Sequence, residues 1–322
     1  MLFEGFETFD VETGGARVHG VATPSADLPP VTGTRPVLLL HGFPETHAMW
    51  HRVGPALAAD GHRVVATDLR GYGSSSRPPA GADHAGYSFR AMAADQVAVM
   101  DTLGHRRFAV VAHDRGARVA HRMALDHPDR VERLVLLDIL PTAYVYSHVD
   151  RALATAYYHW FFFLQPEPLP ERLIGADPAH YLRSLLTGWG SGRPAHYDPE
   201  AYEDYERCFS DPDARHAMLE DYRAGASIDL DHDAEGGSID APTLVLWGAE
   251  GVVARNAEDP LEVWRRAGRD VTGGAVAGAG HFLVEEQPEA VLAGLRPFLS
   301  ARPAPGGPDG PGDRHRAGPA AG

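Results

Sequence analysis

The sequence predicts an α/β fold with a mostly parallel sheet, helices on both faces and an inserted helical cap. Short apolar runs alternate with longer amphipathic stretches along most of the chain. This alternation stops between about residues 141 and 239, where the chain is aromatic-rich and punctuated by proline, and then resumes. Alternating strands and helices are typical of a parallel sheet that is covered on both faces. A chain of 322 residues is long enough for one large core and an insertion.

Before the interruption, the apolar pattern assigns four strands and three helices. The predicted strands are 37–40, 64–67, 108–113 and 134–137, and the predicted helices are 49–59, 89–103 and 117–126. After the interruption we predict strands at 243–247 and 271–277, and helices at 261–267 and 288–299.

These elements divide the chain into a core and a cap. We assign residues 1–140 and 240–300 to the core and residues 141–239 to the helical cap. Residues 301–322, rich in proline and glycine without an apolar period, are predicted to form a disordered tail. Ligands of such sheets bind at the carboxyl ends of the strands, so the informative residues are expected directly after strands.

Composition narrows the classes of partner. The formal net charge of -15 argues against nucleic acid and anionic membranes. No apolar run approaches the ~20 residues of a membrane helix, no secretory signal is visible, and the single cysteine fits a reducing compartment, so we expect a cytoplasmic location. The sequence contains no lysine, so every permanent cation is arginine, which matches a carboxylate through a planar two-point fork. An acidic substrate would therefore need arginines in the site itself.

A strand–turn–helix motif surrounds Asp114. The predicted strand 108–113 runs into Asp114, and the small residues Ala112 and Gly116 flank it at the spacing of a nucleophile elbow. Serine is usual at this position in esterases. A carboxylate is already ionised near neutral pH and is suited to displacement at a saturated carbon, with an ester as intermediate. Taken alone, Asp114 is better explained as an ordinary helix cap, and the rest of the constellation changes this interpretation.

Two further residues complete a candidate triad. His281 follows the last predicted strand, in a run of small residues, and comes last in chain order, as the base does in this type of fold. A carboxylate must orient its imidazole. Asp138, which ends an apolar strand, is the preferred candidate, and Glu250, which follows a later strand, is the alternative.

The chain resembles the haloacetate (fluoroacetate) dehalogenases of the α/β-hydrolase superfamily over roughly residues 3 to 300. The motifs that carry this resemblance lie in both core and cap, and they are His41-Gly42-Phe43-Pro44-Glu45-Thr46, His113-Asp114-Arg115-Gly116-Ala117-Arg118, Tyr158-His159-Trp160-Phe161-Phe162, Asp221-Tyr222-Arg223-Ala224-Gly225-Ala226 and Gly280-His281-Phe282. Core and cap motifs together are specific, because epoxide hydrolases and haloalkane dehalogenases share the core but usually carry tryptophan after the nucleophile.

The resemblance implies a role for each site residue. Asp114 would be the nucleophile, His281 the base and Asp138 the acid, while Arg115 and Arg118 would hold the substrate carboxylate. Fluoride holds water tightly, so the site must offer fixed donors to the leaving ion. The remaining roles are halide binding by His159, Trp160 and Tyr222, oxyanion stabilisation by the N–H groups of Phe43 and Arg115, and pocket lining by Trp189.

The expected reaction converts a haloacetate to glycolate and halide through an ester on Asp114. An epoxide hydrolase is the alternative, with Tyr222 and another cap tyrosine such as Tyr158 as proton donors. We expect no cofactor and no metal, and we interpret the acidic segment 229–233 as a solvated return from cap to core. The resemblance also implies a homodimer.

Overall fold

Eight strands form one sheet in the order β1-β2-β4-β3-β5-β6-β7-β8. A computed structural model describes residues 2–24, 35–189, 197–255 and 258–301. The strands are β1 (Glu7–Glu12), β2 (Arg17–Ala22), β3 (Pro36–Leu40), β4 (Arg63–Thr67), β5 (Phe108–His113), β6 (Val131–Leu137), β7 (Thr243–Gly248) and β8 (Val271–Val276). β2 pairs antiparallel with both β1 and β4, and all other neighbouring pairs are parallel.

Helices cover both faces of the sheet and fill the segment between β6 and β7. Those that belong to the sheet's covering layers are α1 (Val53–Ala59), α2 (Phe89–Thr102), α3 (Asp114–Asp126), α12 (Pro260–Arg265), α13 (Leu283–Glu286) and α14 (Pro288–Ser300). Those between β6 and β7 are α4 (Thr142–Ser147), α5 (Arg151–Ala156), α6 (Tyr158–Phe163), α7 (Leu169–Gly175), α8 (Pro178–Gly188), α9 (Pro199–Ser210), α10 (Pro212–Gly225) and α11 (Ile228–Ala234). The described residues also contain short 3₁₀ helices at His47–Trp50, Ala85–Tyr87 and Val253–Arg255.

The central strands explain why the apolar runs predicted the sheet. All six residues of β5 are buried, and so are the last four of β3, as expected for strands covered on both faces. The predicted α/β-hydrolase fold with its mostly parallel sheet is confirmed. We did not predict β1 and β2, because charged and small residues interrupt the apolar pattern of both strands, and β1 is mostly exposed.

The cap helices are joined to the core by hydrogen bonds between polar side chains. The Thr46 hydroxyl lies 2.5 Å from the carboxylate of Asp204, and the Tyr205 hydroxyl donates to Glu285 at 2.6 Å. The eight helices lie within the segment 141–239 that we assigned to the cap, while the domain boundaries stay a prediction. Of the predicted tail, residues 302–322 lie outside the described residues. Across the described ranges, no helix is both long and apolar enough to cross a bilayer.

Candidate active site

Asp114 lies at a strained turn between β5 and α3. Its φ is +45°, in the left-handed region, which is unusual for a residue other than glycine. The two glycines beside it are required by close packing. A Cβ on Gly116 would lie 2.3 Å from the carbonyl oxygen of His41, and one on Gly42 would lie 2.5 Å from the Cβ of Asp114. The small residues thus allow the turn that presents the Asp114 carboxylate, and the Phe43 N–H donates to its Oδ1 at 3.0 Å.

His281 and Asp138 lie next to Asp114 at the carboxyl ends of the parallel strands. The last registered pair of β5 and β6 is His113 with Leu137, so Asp114 and Asp138 follow it side by side. His281 Nδ1 lies 2.6 Å from Asp138 Oδ2, and its Nε2 lies 3.8 Å from Asp114 Oδ2. Because Asp138 accepts from Nδ1–H, Nε2 faces the nucleophile.

The backbone holds Asp138 in place. Its other oxygen accepts the N–H of Gly248 at 3.0 Å, and its own φ is +52°. The alternative acid, Glu250, is exposed and lines a separate groove together with Arg255. The structure therefore brings Asp138, and not Glu250, into contact with the imidazole.

The charges of the triad shift two pKa values in opposite directions. Burial acts to raise the pKa of Asp114, but the electrostatic interactions with His281, His113 and the two arginines lower it to about 2. Burial acts to lower the pKa of His281, but the hydrogen bond and charge of Asp138 and the charge of Asp114 raise it to about 9. In the resting protein, Asp114 is an ionised carboxylate beside an imidazolium.

Arg115 is bound to a cap residue that the sequence analysis did not assign. Its Nε donates to Asp221 Oδ2 at 2.9 Å and one terminal nitrogen donates to the Asp221 carbonyl oxygen at 2.7 Å. Tyr72 donates to the same carboxylate at 2.7 Å. The guanidinium also lies over the ring of Tyr222, 4.2 Å from its centroid. Asp221 therefore neutralises much of the charge that Arg115 would offer to a substrate.

Arg118, by contrast, forms no ion pair with any described residue. One terminal nitrogen donates to the carbonyl of Leu140 at 3.0 Å and to the Thr142 hydroxyl at 2.9 Å. Its Nε is buried without a hydrogen-bond partner in the described part of the chain, and the guanidinium lies 4.6 Å from the ring of Trp160. Burial and the charge of Arg115 lower the pKa of Arg118. A buried cation with spare donors favours an anionic ligand.

A small cavity lies over the nucleophile. Its volume is about 10 Å³, on the order of the space that one water molecule needs. The described residues that line it are Asp114, Tyr157, His159, Trp160, Trp189, Tyr222, Val252 and His281. The structure thus brings the three predicted halide ligands and the predicted pocket residue Trp189 together with Asp114 and His281.

Tyr157 and Val252 also line this cavity and were missed by the sequence analysis. Tyr157 belongs to an aromatic run that resembles cap core, and Val252 lies in a loop without a motif, so nothing in the sequence marked either one. Tyr158, considered above as a second proton donor, is 44% exposed and pairs with Tyr181 outside the cavity.

Aromatic rings hold the cap side of the cavity in place. His159 packs on Trp189 with ring centroids 4.1 Å apart, and Tyr222 packs edge-on against Phe43 at 5.3 Å. Burial lowers the pKa of His159 well below its ordinary value, so this imidazole is neutral. A neutral imidazole still carries one N–H donor, and the indole and phenol supply two more.

Two buried residues, His113 and Glu45, support the loop that carries His281. His113 Nε2 donates to the carbonyl oxygen of His281 at 2.8 Å, which fixes the proton on Nε2 because a carbonyl only accepts. Glu45, fully buried, lies 3.4 Å from the other ring nitrogen. Burial raises the pKa of Glu45. Both residues belong to motifs quoted above, but no pattern in the sequence predicts that they lie under His281.

The described residues include no cluster of three or more His, Cys, Asp or Glu side chains that could hold a metal ion. The interpretation of the segment 229–233 as wholly solvated is wrong for Asp229. This carboxylate is 1% exposed and accepts the Phe89 N–H at 2.9 Å, where it caps the start of α2. Burial raises its pKa to about 8.

Comparison with known proteins defines the class first. A family model described as alpha/beta hydrolase fold matches residues 35–288, so the chain belongs to the α/β-hydrolase family and the protein is a hydrolase. Within that family, it is 46% identical over 302 residues to a fluoroacetate dehalogenase from Burkholderia sp, covering 93% of this chain and 95% of the relative. The resemblance stated from the motifs is confirmed.

Two other relatives show how widely the fold is shared. A soluble epoxide hydrolase from Corynebacterium sp. (strain C12) is 32% identical over 259 residues, covering 80% of this chain and 87% of the relative. The crystal structure of ALR0039 from Nostoc sp PCC 7120 superposes with a TM-score of 0.87 at 50% identity, covering 93% of this chain and 99% of the other.

Proposed function

We propose that the protein hydrolyses the carbon–halogen bond of a small 2-haloacid such as fluoroacetate, giving glycolate and halide. One observation carries the proposal. An ionised Asp114 faces a cavity lined by an imidazole, an indole and a phenol, and Arg118, a buried cation without an ion-pair partner among the described residues, lies nearby. The 46% identity to a fluoroacetate dehalogenase supports the same chemistry.

In the first step, an oxygen of Asp114 attacks the α-carbon from the side opposite the halogen. The C–O bond forms as the carbon–halogen bond breaks, and the electron pair of that bond leaves with the halide. His159, Trp160 and Tyr222 donate hydrogen bonds to the developing charge, which replaces part of the water that fluoride loses. Arg118 pairs with the substrate carboxylate and holds the α-carbon in line with Asp114.

The contacts of Arg115 support a different role in binding the substrate carboxylate from the one predicted from the sequence. Its Nε and one terminal nitrogen are already used on Asp221, so it supplies the substrate with a partly neutralised charge. We propose that Arg118 is the main partner of the substrate carboxylate, and that Arg115 acts as a second, weaker one whose direction Asp221 fixes.

In the second step, the neutral imidazole of His281 takes a proton from water. The resulting hydroxide attacks the carboxyl carbon of Asp114, and the N–H groups of Phe43 and Arg115 stabilise the tetrahedral oxyanion. When the bond to the alcohol oxygen breaks, that oxygen takes the proton of the new Asp114 carboxyl group, which gives glycolate and restores the carboxylate. Asp138 stabilises the imidazolium that forms. This imidazolium is the resting state, which gave its proton to solvent after ester formation had removed the charge of Asp114, so that over the cycle one water is consumed and one halide and one proton are released.

An epoxide hydrolase is the second candidate, since Tyr157 and Tyr222 both line the cavity above Asp114. Two phenols opposite a carboxylate nucleophile could protonate an epoxide oxygen. Arg118 favours the haloacid, because an epoxide offers no carboxylate to pair with this buried charge. A homodimer and a cytoplasmic location stay predictions from the sequence.

A single-turnover experiment in heavy-oxygen water tests the proposal. With enzyme in excess over fluoroacetate, we expect the label to enter Asp114 and the first glycolate to be unlabelled. Asp114→Asn should release no fluoride, and Asp129→Asn, at an exposed carboxylate of the core, is the matched control. Label entering glycolate directly would contradict the ester, and diol formation from styrene oxide without fluoride release would favour the alternative.

A further inference from the structure

Two large grooves adjoin the small cavity over Asp114. The first, of about 480 Å³, lies between α4, α5 and the loop after β7. The second, of about 640 Å³, lies between α5, α8 and the same loop. The cavity over the nucleophile is about 10 Å³. The large grooves are thus only one side chain away from the cavity over the nucleophile.

One residue lines all three spaces. Among the described lining residues, Val252 is the only one shared by the cavity and both grooves. Tyr157 is shared by the cavity and the first groove, and Trp189 by the cavity and the second. Val252 therefore forms the centre of a wall, with an aromatic ring on each side.

The backbone around Val252 is held by hydrogen bonds. The Glu250 N–H donates to the Ala279 carbonyl at 2.9 Å, the Gly251 N–H donates to the Gly248 carbonyl at 3.0 Å, and a 3₁₀ helix begins at Val253. Valine is branched at Cβ and has few side-chain rotamers. The wall is therefore a fixed partition that a substrate cannot easily displace.

The two grooves differ in chemistry. The side chains of the first are mainly apolar and include Leu140, Val145, Leu153 and Val253. The second carries Arg151, Thr155, Ser184 and Glu250 among its lining residues. A hydrocarbon group attached to the α-carbon would be stabilised by burial in the first groove and not in the second.

We propose that Val252, with Tyr157 beside it, determines substrate size by closing the cavity over Asp114 to α-substituents larger than a methyl group. This inference rests on the proposed function. It assigns the protein to two- and three-carbon haloacids, and it assigns the first groove as the place where the alkyl or aryl substituent of a larger 2-haloacid would lie once the wall is opened.

The test compares halide release from chloroacetate, 2-chloropropionate, 2-chlorobutyrate and 2-chloro-2-phenylacetate. For the wild type, we expect kcat/KM to fall steeply beyond 2-chloropropionate. In Val252→Ala, the ratio of kcat/KM for 2-chlorobutyrate to that for chloroacetate should rise about tenfold or more, since one to two methylene groups in a pocket change selectivity by this order. Val252→Gly should extend the gain to the phenyl substrate.

Val149→Ala is the matched control. It also removes two methyl groups from a valine that lines the first groove, but it leaves the wall intact. We expect it to keep the selectivity ratio of the wild type. A second readout needs no chemistry: calorimetric binding of butyrate and phenylacetate relative to acetate should improve in Val252→Ala. Thermal unfolding of each variant shows whether the fold is retained.

The outcomes separate the two proposals. If the wild type releases no halide from chloroacetate, the proposed function fails, and the binding ratios alone decide the role of Val252. If chloroacetate is hydrolysed but the selectivity and binding ratios of Val252→Ala equal those of the wild type, the proposal that Val252 limits substrate size is wrong. An equal gain in Val149→Ala would also overturn it, because the limit would then lie in the groove.

Discussion

The core side and the cap side of the cavity over Asp114 are held in place by different interactions. On the core side, Asp114 and Asp138 follow adjacent strands, both have positive φ values, and each accepts a backbone N–H. On the cap side, His159 and Tyr222 are held mainly by ring packing. Asp114 and Asp138 are therefore held by the backbone, whereas the predicted halide donors His159 and Tyr222 depend on how aromatic side chains pack.

This difference predicts what substitutions on each side do. A change on the core side removes a chemical step, because the strand ends leave no other group in reach. A change on the cap side alters which leaving group or substituent is accepted, because the neighbouring rings remain in place. The four predictions below compare the two sides, beginning with the largest effect.

His281→Asn should reduce steady-state turnover on the order of 10⁴-fold or more, which is typical of losing a triad base. The first step does not need the imidazole as a base, so one equivalent of halide should still be released. The ester should then accumulate on Asp114, visible by mass spectrometry as an adduct on the peptide containing this residue.

The cap-side comparison for this variant is Trp189→Phe, which changes a ring near His281 but leaves the base. We expect it to turn over repeatedly without a stable adduct. A His281→Asn protein that hydrolysed substrate at a normal rate with no adduct would show that His281 is not the base.

Tyr222→Phe removes a single hydroxyl and keeps the ring that packs on Arg115 and Phe43. We expect kcat for fluoroacetate to fall roughly 10²- to 10³-fold, as when one donor to a developing anion is lost. Bromoacetate should lose much less, because bromide needs less stabilisation by hydrogen bonds. Tyr202→Phe, at a cap ring that packs on Tyr197 and does not line the cavity, is the control, and equal losses for both halides would contradict a halide role for Tyr222.

The core-side residues were predictable because their chemistry coincides with strand ends. Asp114, Asp138 and His281 each follow an apolar run, and the parallel sheet brings those ends together whatever the cap does. The halide donors on the cap side were placed only through resemblance to a family, since helices joined by irregular loops carry no such rule.

Contacts that join distant parts of the chain were not predictable. Asp221 reaches Arg115 across 106 positions, and Val252 and Tyr157 line the same cavity although they lie far apart in the sequence. No local pattern encodes either contact. The sequence could therefore name both arginines as carboxylate ligands, but it could not show that one of them is already paired.

Arg118→Gln should sharpen the distinction between the two arginines. We expect its KM for chloroacetate to rise about 10- to 100-fold, because the unpaired guanidinium is the stronger partner of the substrate carboxylate. Asp221→Asn has the opposite effect on charge, because it removes the negative partner of Arg115. We expect it to lower kcat more than it raises KM, since Asp221 no longer fixes the direction of the Arg115 guanidinium. Chloroacetamide, a neutral substrate, should be insensitive to Arg118→Gln. Equal KM effects for the charged and neutral substrates would refute carboxylate binding by Arg118.

The pH dependence of the two steps should differ, because halide release depends on Asp114 and ester hydrolysis depends on His281. Asp114 has a pKa of about 2, so halide release should be flat from about pH 5 upward. His281 has a raised pKa of about 9 in the resting protein, and the second step needs its neutral form. Ester formation removes the negative charge of Asp114, so the pKa of His281 must fall below about 9 in the intermediate.

Ester hydrolysis should therefore slow as pH falls through that lowered pKa, by up to about tenfold per pH unit, while the halide burst persists. Rapid-quench measurement of halide and glycolate in the same mixture separates the two phases. Glu250→Gln should leave both profiles unchanged, because this exposed carboxylate does not contact the imidazole. If halide and glycolate shared one acid limb, a single protonation would control both steps, and His281 could not be the base of the second step alone.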